Sequence, residues 1–134
     1  MRGPAAALNA YLNGFNLPAY TTESLPKEAE PPYITYPLNI PTWDEKTSFY
    51  IQIWFRTRSN EALLTKADEI LADIGPGKIL QASDGYVAIW PETPAVQLLV
   101  DGDTRSAYLN LSINAYQKPG AYAAPEDPEE GEPE

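Results

Sequence analysis

Apolar and polar positions alternate in several stretches and recur at helical spacing in two others. In residues 48–56, SFYIQIWFR, Phe49, Ile51, Ile53 and Phe55 fall on one side of a strand; Ser48, Tyr50, Gln52, Trp54 and Arg56 fall on the other. Residues 105–116 alternate in the same way. Leu109, Leu111, Ile113 and Ala115 face in, while Tyr108, Asn110, Ser112, Asn114 and Tyr116 face out. Leu63, Ala67, Ile70, Leu71 and Ile74 recur at a period near 3.6 and predict an amphipathic helix. Ser59 or Asn60 stands at its start as a cap, and Gly75-Pro76 stops it. Leu8, Tyr11, Leu12 and Phe15 draw a second stripe and predict a first helix over residues 4–14, with Pro near the start and Gly at the end.

The remaining elements are short. A turn-rich stretch follows the first helix and holds one extended piece around residues 18–21. Residues 33–38, YITYPL, read as a strand that Pro37 confines to a sheet edge or a strand end. Residues 39–46 form a loop with Trp43 near its middle. After the second helix, strands are predicted at 79–82, 86–90, 96–100 and 105–116. The segments Ser83-Asp84-Gly85, Pro91-Glu92-Thr93-Pro94 and Asp101-Gly102-Asp103 separate them as turns. Hairpin links of this length imply a mainly antiparallel sheet. The expected fold is α+β in two layers, a mainly antiparallel sheet packed against two helices. One domain covers residues 1–118, and the Pro-rich acidic segment 119–134 is expected to be a disordered tail.

Composition narrows the chemistry. The 134 residues include no cysteine and no histidine. Disulfides, thiolate metal sites, His-dependent triads and His-ligated zinc are thereby excluded. Formal net charge is -10, and residues 126–134 contribute six acids and no base, which leaves -4 for the rest. A basic nucleic-acid footprint is missing. The first residues lack the uninterrupted apolar run of a signal sequence, and no stretch approaches a membrane span, so the chain is expected to be made in the cytoplasm.

Two candidate motifs fail on spacing, and a third set supplies only the raw groups. Asp101-Gly102-Asp103 does not continue as a calcium loop, because Ser106 and Ser112 stand where glycine and glutamate are needed. Gly75 to Lys78 follows a helix and precedes a strand, the reverse of a phosphate loop. Asp44 with Glu45, and Asp68 with Glu69 and Asp73, supply carboxylates that a hydrolase would need facing one cleft. The aromatics point elsewhere. Trp43, Trp54, Trp90, Tyr36, Tyr50, Tyr108 and Tyr116 lie on strands or loops, and aromatics on both faces of a strand require a cover on both. That second cover is the helix layer or a neighbouring subunit; the alternative is that these residues broaden the monomer core or stand singly on the surface.

Several stretches carry a family resemblance: ALNAYLNGF with LPAY, PPYITYPL, SFYIQIWFRTRSNEALLTKADEI, GYVAIWP and DGDTRSAYLNLSINAY. Together they resemble the tail terminator, or tail completion, proteins of long-tailed bacteriophages, over roughly residues 5 to 117. The resemblance implies a structural virion protein without an active site or cofactor. It implies a homohexameric ring on the head-proximal end of the tail tube, touching the major tail tube protein on one side and the head-side connector or stopper on the other. Genome DNA would pass through the lumen without specific binding, and the mature location would be the virion neck. A mildly acidic body suits such a passage, because like charge lowers phosphate binding. On this reading Tyr50, Trp54 and Arg56 are expected at a subunit or tube contact, Trp43 on a projecting arm, and Asp101 and Asp103 toward the lumen. The competing expectations are a head-side neck or minor capsid protein and, in another class, a small carboxylate hydrolase or ligand-binding module with a cleft near Asp68, Glu69 or Asp44.

Overall fold

A computed structural model describes residues 3–37 and 45–117. The loop residue Trp43, the carboxylate Asp44 and the acidic segment 119–134 lie outside the described residues. The elements are α1 (Gly3–Leu12), β1 (Ala19–Thr21), β2 (Tyr33–Tyr36), β3 (Lys46–Arg56), α2 (Glu61–Ile74), β4 (Lys78–Ala82), β5 (Gly85–Asp101) and β6 (Thr104–Gln117). The six strands form one sheet in the order β1-β2-β3-β6-β5-β4. Only β1 and β2 run parallel; the other pairings are antiparallel. The expected α+β, mainly antiparallel sheet with two helices is the observed one. No helix among the described residues is long and apolar enough to cross a membrane.

Strand β6 is the spine. It pairs with β3 from Lys46↔Asn114 to Arg56↔Thr104 and with β5 along its other edge. Its inward residues Ala107, Leu109, Leu111, Ile113 and Ala115 are all buried, as are Phe49, Ile51 and Ile53 beside them on β3. The helices lie over this face. Leu63, Ala67, Ile70 and Ile74 of α2 and Leu8 and Leu12 of α1 close the core, so the predicted stripes are the buried ones. Tyr36 also belongs to this core. It is fully buried and donates its hydroxyl to Asn9 Oδ1 at 2.6 Å, which removes it from the expected surface aromatics.

The ends of the helices follow from local hydrogen bonding. Ser59 Oγ accepts the Glu61 N–H at 3.1 Å, while the Asn60 carboxamide instead accepts from Arg105 at 2.9 Å. The Gly75 N–H closes the C-terminus on the Leu71 carbonyl at 2.8 Å. The chain of α1 runs past Gly14 in a 3-10 turn, Asn13–Phe15, and it is Asn16 that turns left-handed, at φ 65°. Lys66 of α2 donates to the Phe15 carbonyl at 2.8 Å, so a charged side chain satisfies an orphan helix-end acceptor.

One predicted boundary is corrected. Pro91-Glu92-Thr93-Pro94 does not separate two strands, for β5 runs unbroken from Gly85 to Asp101. The ladder to β6 jumps from Pro91↔Leu111 to Val96↔Leu109, so the extra residues are absorbed as a bulge. Prolines are tolerated there because β4 pairs with β5 only as far as Ile89. Past that point the outer edge of β5 has no strand beside it, and missing N–H groups break no ladder. The β5–β6 hairpin turns on Gly102 and Asp103, with Asp101 opposite Thr104. Gly102 takes φ 65° at the first central position, the geometry of a type II′ turn.

Two local features generate testable outcomes. A side chain at Gly85 would place its Cβ 2.1 Å from the Tyr116 carbonyl oxygen and 3.0 Å from the Gln117 Cα, both backbone atoms in the central pairing. Gly85→Ala is therefore expected to cost roughly 1–3 kcal/mol as an overpacking substitution, read by chemical denaturation. Tyr11 of α1 donates to Asp73 Oδ2 of α2 at 2.5 Å, and Lys78 of β4 reaches the same oxygen at 3.3 Å. Burial and then the Asp73 carboxylate push the Tyr11 phenol well above its ordinary 10.0. The hydrogen bond from Tyr11, then that from Lys78, holds Asp73 below its ordinary 3.8. The lowered carboxyl contributes stability above pH 3.8 that is lost as pH falls through its folded pKa. The raised phenol contributes stability below pH 10.0 that is lost as pH rises. The stability gap between wild type and Tyr11→Phe should be widest between these limits and shrink on both sides. A gap that does not vary with pH in thermal unfolding would rule out this linkage.

Candidate assembly surface

The second face of the sheet is built by the other half of each alternation. Register places Tyr20, Tyr33, Trp54, Tyr50, Tyr108, Tyr116, Tyr86 and Trp90 on one side, opposite the helices. Four aromatic pairs run across it. Tyr20 meets Tyr33 edge-on at 6.3 Å, and Tyr33 meets Trp54 at 6.3 Å. Tyr50 meets Tyr108 edge-on at 5.2 Å, and Tyr86 stacks on Tyr116 at 5.0 Å. The first three spacings suit edge-to-face or tilted packing of quadrupolar rings.

Beneath the rings lies a polar floor that the alternation alone marks as wet. Gln52 and Ser106 are buried and bonded to each other at 2.9 Å. The Trp54 indole N–H donates to Thr35 Oγ1 at 3.0 Å, and Thr35 is buried too. The β5 bulge folds back onto this face. Ser112 Oγ donates to Glu92, and Asn110 Nδ2 donates to the Pro94 carbonyl and to Gln97 Oε1, each at 2.8 Å. Asn114 Oδ1 is buried with no hydrogen-bond partner among the described residues. Neighbouring rings dry these groups, and side chain pairs the rest. The face is amphipathic, with Tyr50 and Tyr86 more than a third exposed. No helix or strand of the described chain lies over it.

The predicted residues divide into two places. Tyr50 and Trp54 share the aromatic face, Tyr50 exposed and Trp54 half-buried with its N–H already used. Arg56 lies at the end of β3, exposed, 3.0 Å from Glu30. Its register partner Thr104 opens β6 beside the exposed hairpin tip, so Arg56, Asp101 and Asp103 gather at one end of the sheet. Tyr50 is six residues back along β3, about 20 Å away in a strand, and so belongs to a separate patch. The Asp103 carbonyl accepts the Thr57 N–H at 2.7 Å, fixing the tip against the start of α2.

Tyr20, Tyr33 and Tyr86 join the face although the sequence reading did not single them out. Tyr86 was legible, since it alternates with Val87 and Ile89; Tyr20 sits in a three-residue strand too short to show a period.

The carboxylate expectation fares differently. Asp68 and Glu69 are on the exposed side of α2, and Glu69 is paired with Lys66 at 2.8 Å. A shallow open depression of about 480 Å³ lined by Thr57, Ser59, Glu61, Lys66 and Glu69 covers this helix side. Of its acids, Glu69 is already paired with Lys66. Among the described residues no group of three or more carboxylates is placed to hold a metal ion. In comparisons with protein-family models, curated proteins and solved structures, nothing matches this chain.

The buried floor predicts a stability effect separable from assembly. Gln52→Ala leaves the Ser106 hydroxyl buried without its partner, at a cost of about 1–3 kcal/mol. A melting temperature lowered by several degrees is the expected reading; an unchanged one would mean that water replaces the lost bond.

Proposed function

We propose that the protein is a structural subunit of a long-tailed phage virion, a tail terminator that assembles as a ring on the head-proximal end of the tail tube. The ring ends tube growth and offers a surface to the head-side connector, and DNA passes through its lumen. One observation carries the reading. One sheet face carries four aromatic pairs, Tyr50 and Tyr86 among their members, and no helix or strand of the described residues lies over it. Tyr and Trp suit contacts that are apolar at one end and wet at the other.

Three further features support it. The sequence resembles that family over most of the described elements. The carboxylates Asp68 and Glu69 of α2 stand on an exposed helix side, and Glu69 is paired with Lys66, which favours a solvated surface there over a catalytic pair. The excess of acids over bases favours free passage of DNA over retention. In a ring, each subunit presents one patch to a different patch of its neighbour, so repeated rotation closes the assembly. Tyr50 and Tyr108 belong to the contact on this reading, and the Asp101–Asp103 tip, at the far end of the sheet, is free to face the lumen.

The test uses tail tubes purified from the phage that carries this chain. Wild-type protein should cap them, halting elongation by added tube subunit. Tyr50→Ala, at a ring more than a third exposed and paired with Tyr108 across the face, should keep its fold and lose at least about tenfold in capping, since an aromatic anchor at an interface is worth on the order of 2 kcal/mol. Unimpeded elongation with wild type, or labelling on the head side of the neck in virion images, would replace the terminator reading by the connector reading.

A further inference from the structure

The outer half of β5 is an unprotected strand edge. Residues 97–101 are exposed in unbroken succession, with Leu98 at 43%, Leu99 at 46% and Val100 at 54%. Alternating neighbours are exposed together, so apolar side chains stand out from both faces of the strand. The backbone is open as well. In a two-residue hairpin the flanking pair, here Asp101 and Thr104, is hydrogen-bonded across the turn. Bonded pairs then recur at every second residue, at Leu99 and Gln97, and the N–H and C=O groups of Val96, Leu98 and Val100 point away from β6. No strand among the described residues receives them.

Proteins guard such edges with charge, proline or a covering side chain. The opposite edge of this sheet is guarded: Asn13 Oδ1 accepts the Ala19 N–H at 3.0 Å, and Asn13 Nδ2 donates to the Ala19 carbonyl at 3.4 Å. On β5 the guards stop at Pro94, and residues 93–100 carry no charge at all. In a chain of net charge -10 most surfaces repel a second copy, and this run does not.

We propose that β5 pairs with β5 of a second copy, antiparallel, about a two-fold axis at Leu98. Two constraints choose that register. Strands that continue one sheet must match residues of equal parity, so that both helix layers lie on the same side. All the outward groups must also find partners. With Leu98 opposite Leu98, Val96 meets Val100 in both directions, and about six backbone hydrogen bonds form. Leu98 and the valines of both copies then share one face, and Gln97 lies opposite Leu99 on the other. Asp101 falls opposite Ala95, and no like charges oppose each other. A two-fold contact makes a closed pair and not a ring, so it is distinct from the head-to-tail contact of the ring and stands or falls without it.

The chain has no cysteine, so single thiols report the register directly. Under mild oxidation at micromolar concentration, Leu98→Cys should form a disulfide-linked dimer, since directly opposed strand residues lie within disulfide reach. Val96→Cys should not, because its two copies would be about 13 Å apart along the strand. In light scattering, wild type should be dimeric, and Leu98→Lys should self-associate at least about tenfold more weakly while keeping its circular dichroism. A monomeric wild type, equal cross-linking at both positions, or no effect of the lysine would each overturn the proposal. Failure of tube capping by wild type would bear on the ring alone.

Discussion

The fold depends on the alternation of β6. From Thr104 to Gln117 this strand hands every second side chain to the helix layer and every other one to the opposite face, and it does so while bonded on both edges. A strand flanked on both sides can neither slip nor flip without moving its aliphatic residues into water. Ala107, Leu109, Leu111, Ile113 and Ala115 therefore set the register of β3 and β5, and through them the placement of both helices. The aromatic face inherits that register. Tyr108 and Tyr116 stand where they do because Leu109 and Ala115 are buried.

Much of this was legible in the sequence because period and burial coincide where a helix or strand is half-buried. The stripe Leu63, Ala67, Ile70 and Ile74 and the inward set of β6 are the observed core residues. Legibility failed where two neighbours on one face dry a polar group. Gln52 and Ser112 sit at positions that alternation assigns to water, yet each is buried, through Ser106 and Glu92 respectively. It failed again at Pro91 and Pro94. Proline marks a break only if its N–H is needed, and on the outer edge of β5 it is not. Tyr36 misled for the converse reason: counted among the aromatics in need of a second cover, it shares the inward parity of Ile34, pairs with Thr21 and is fully buried.

The candidate site was legible in part. The unusual presence of Tyr50 and Trp54 on the supposedly wet side of β3 points to a second cover, and the helices prove to be on the other side, so the cover is not theirs. The sequence alone does not show that Trp54 is tied inward through Thr35 and Tyr33, whereas Tyr50 keeps more than a third of its surface exposed. Nor does it separate Tyr50 from Arg56, because strand length becomes distance only once β3 is known to run straight to its end beside the β5–β6 hairpin. Spacing along a strand is the physical quantity that decides which residues form one patch.

Charge and apolar surface divide the molecule into complementary regions. The outward side of α2 carries Glu61, Asp68, Glu69 and Asp73, offset only by Lys66 and by Lys78 of β4, and it repels acidic partners, further copies included. The aromatic face is polar underneath and nearly uncharged across its middle. The β5 edge is uncharged for eight residues. An acidic chain meets a further copy at least cost where approach does not bring carboxylates together, and the two proposed contacts accordingly use the face and the edge. The two differ in what they can bind. An edge of unpaired N–H and C=O groups accepts only another strand, in a register that backbone geometry dictates. A face of paired tyrosines accepts any surface of matching shape, and suits contact with an unlike patch on a neighbour. On the two proposals the edge makes a two-fold contact and the face a head-to-tail contact that rotation closes into a ring, and nothing in their chemistry makes one depend on the other.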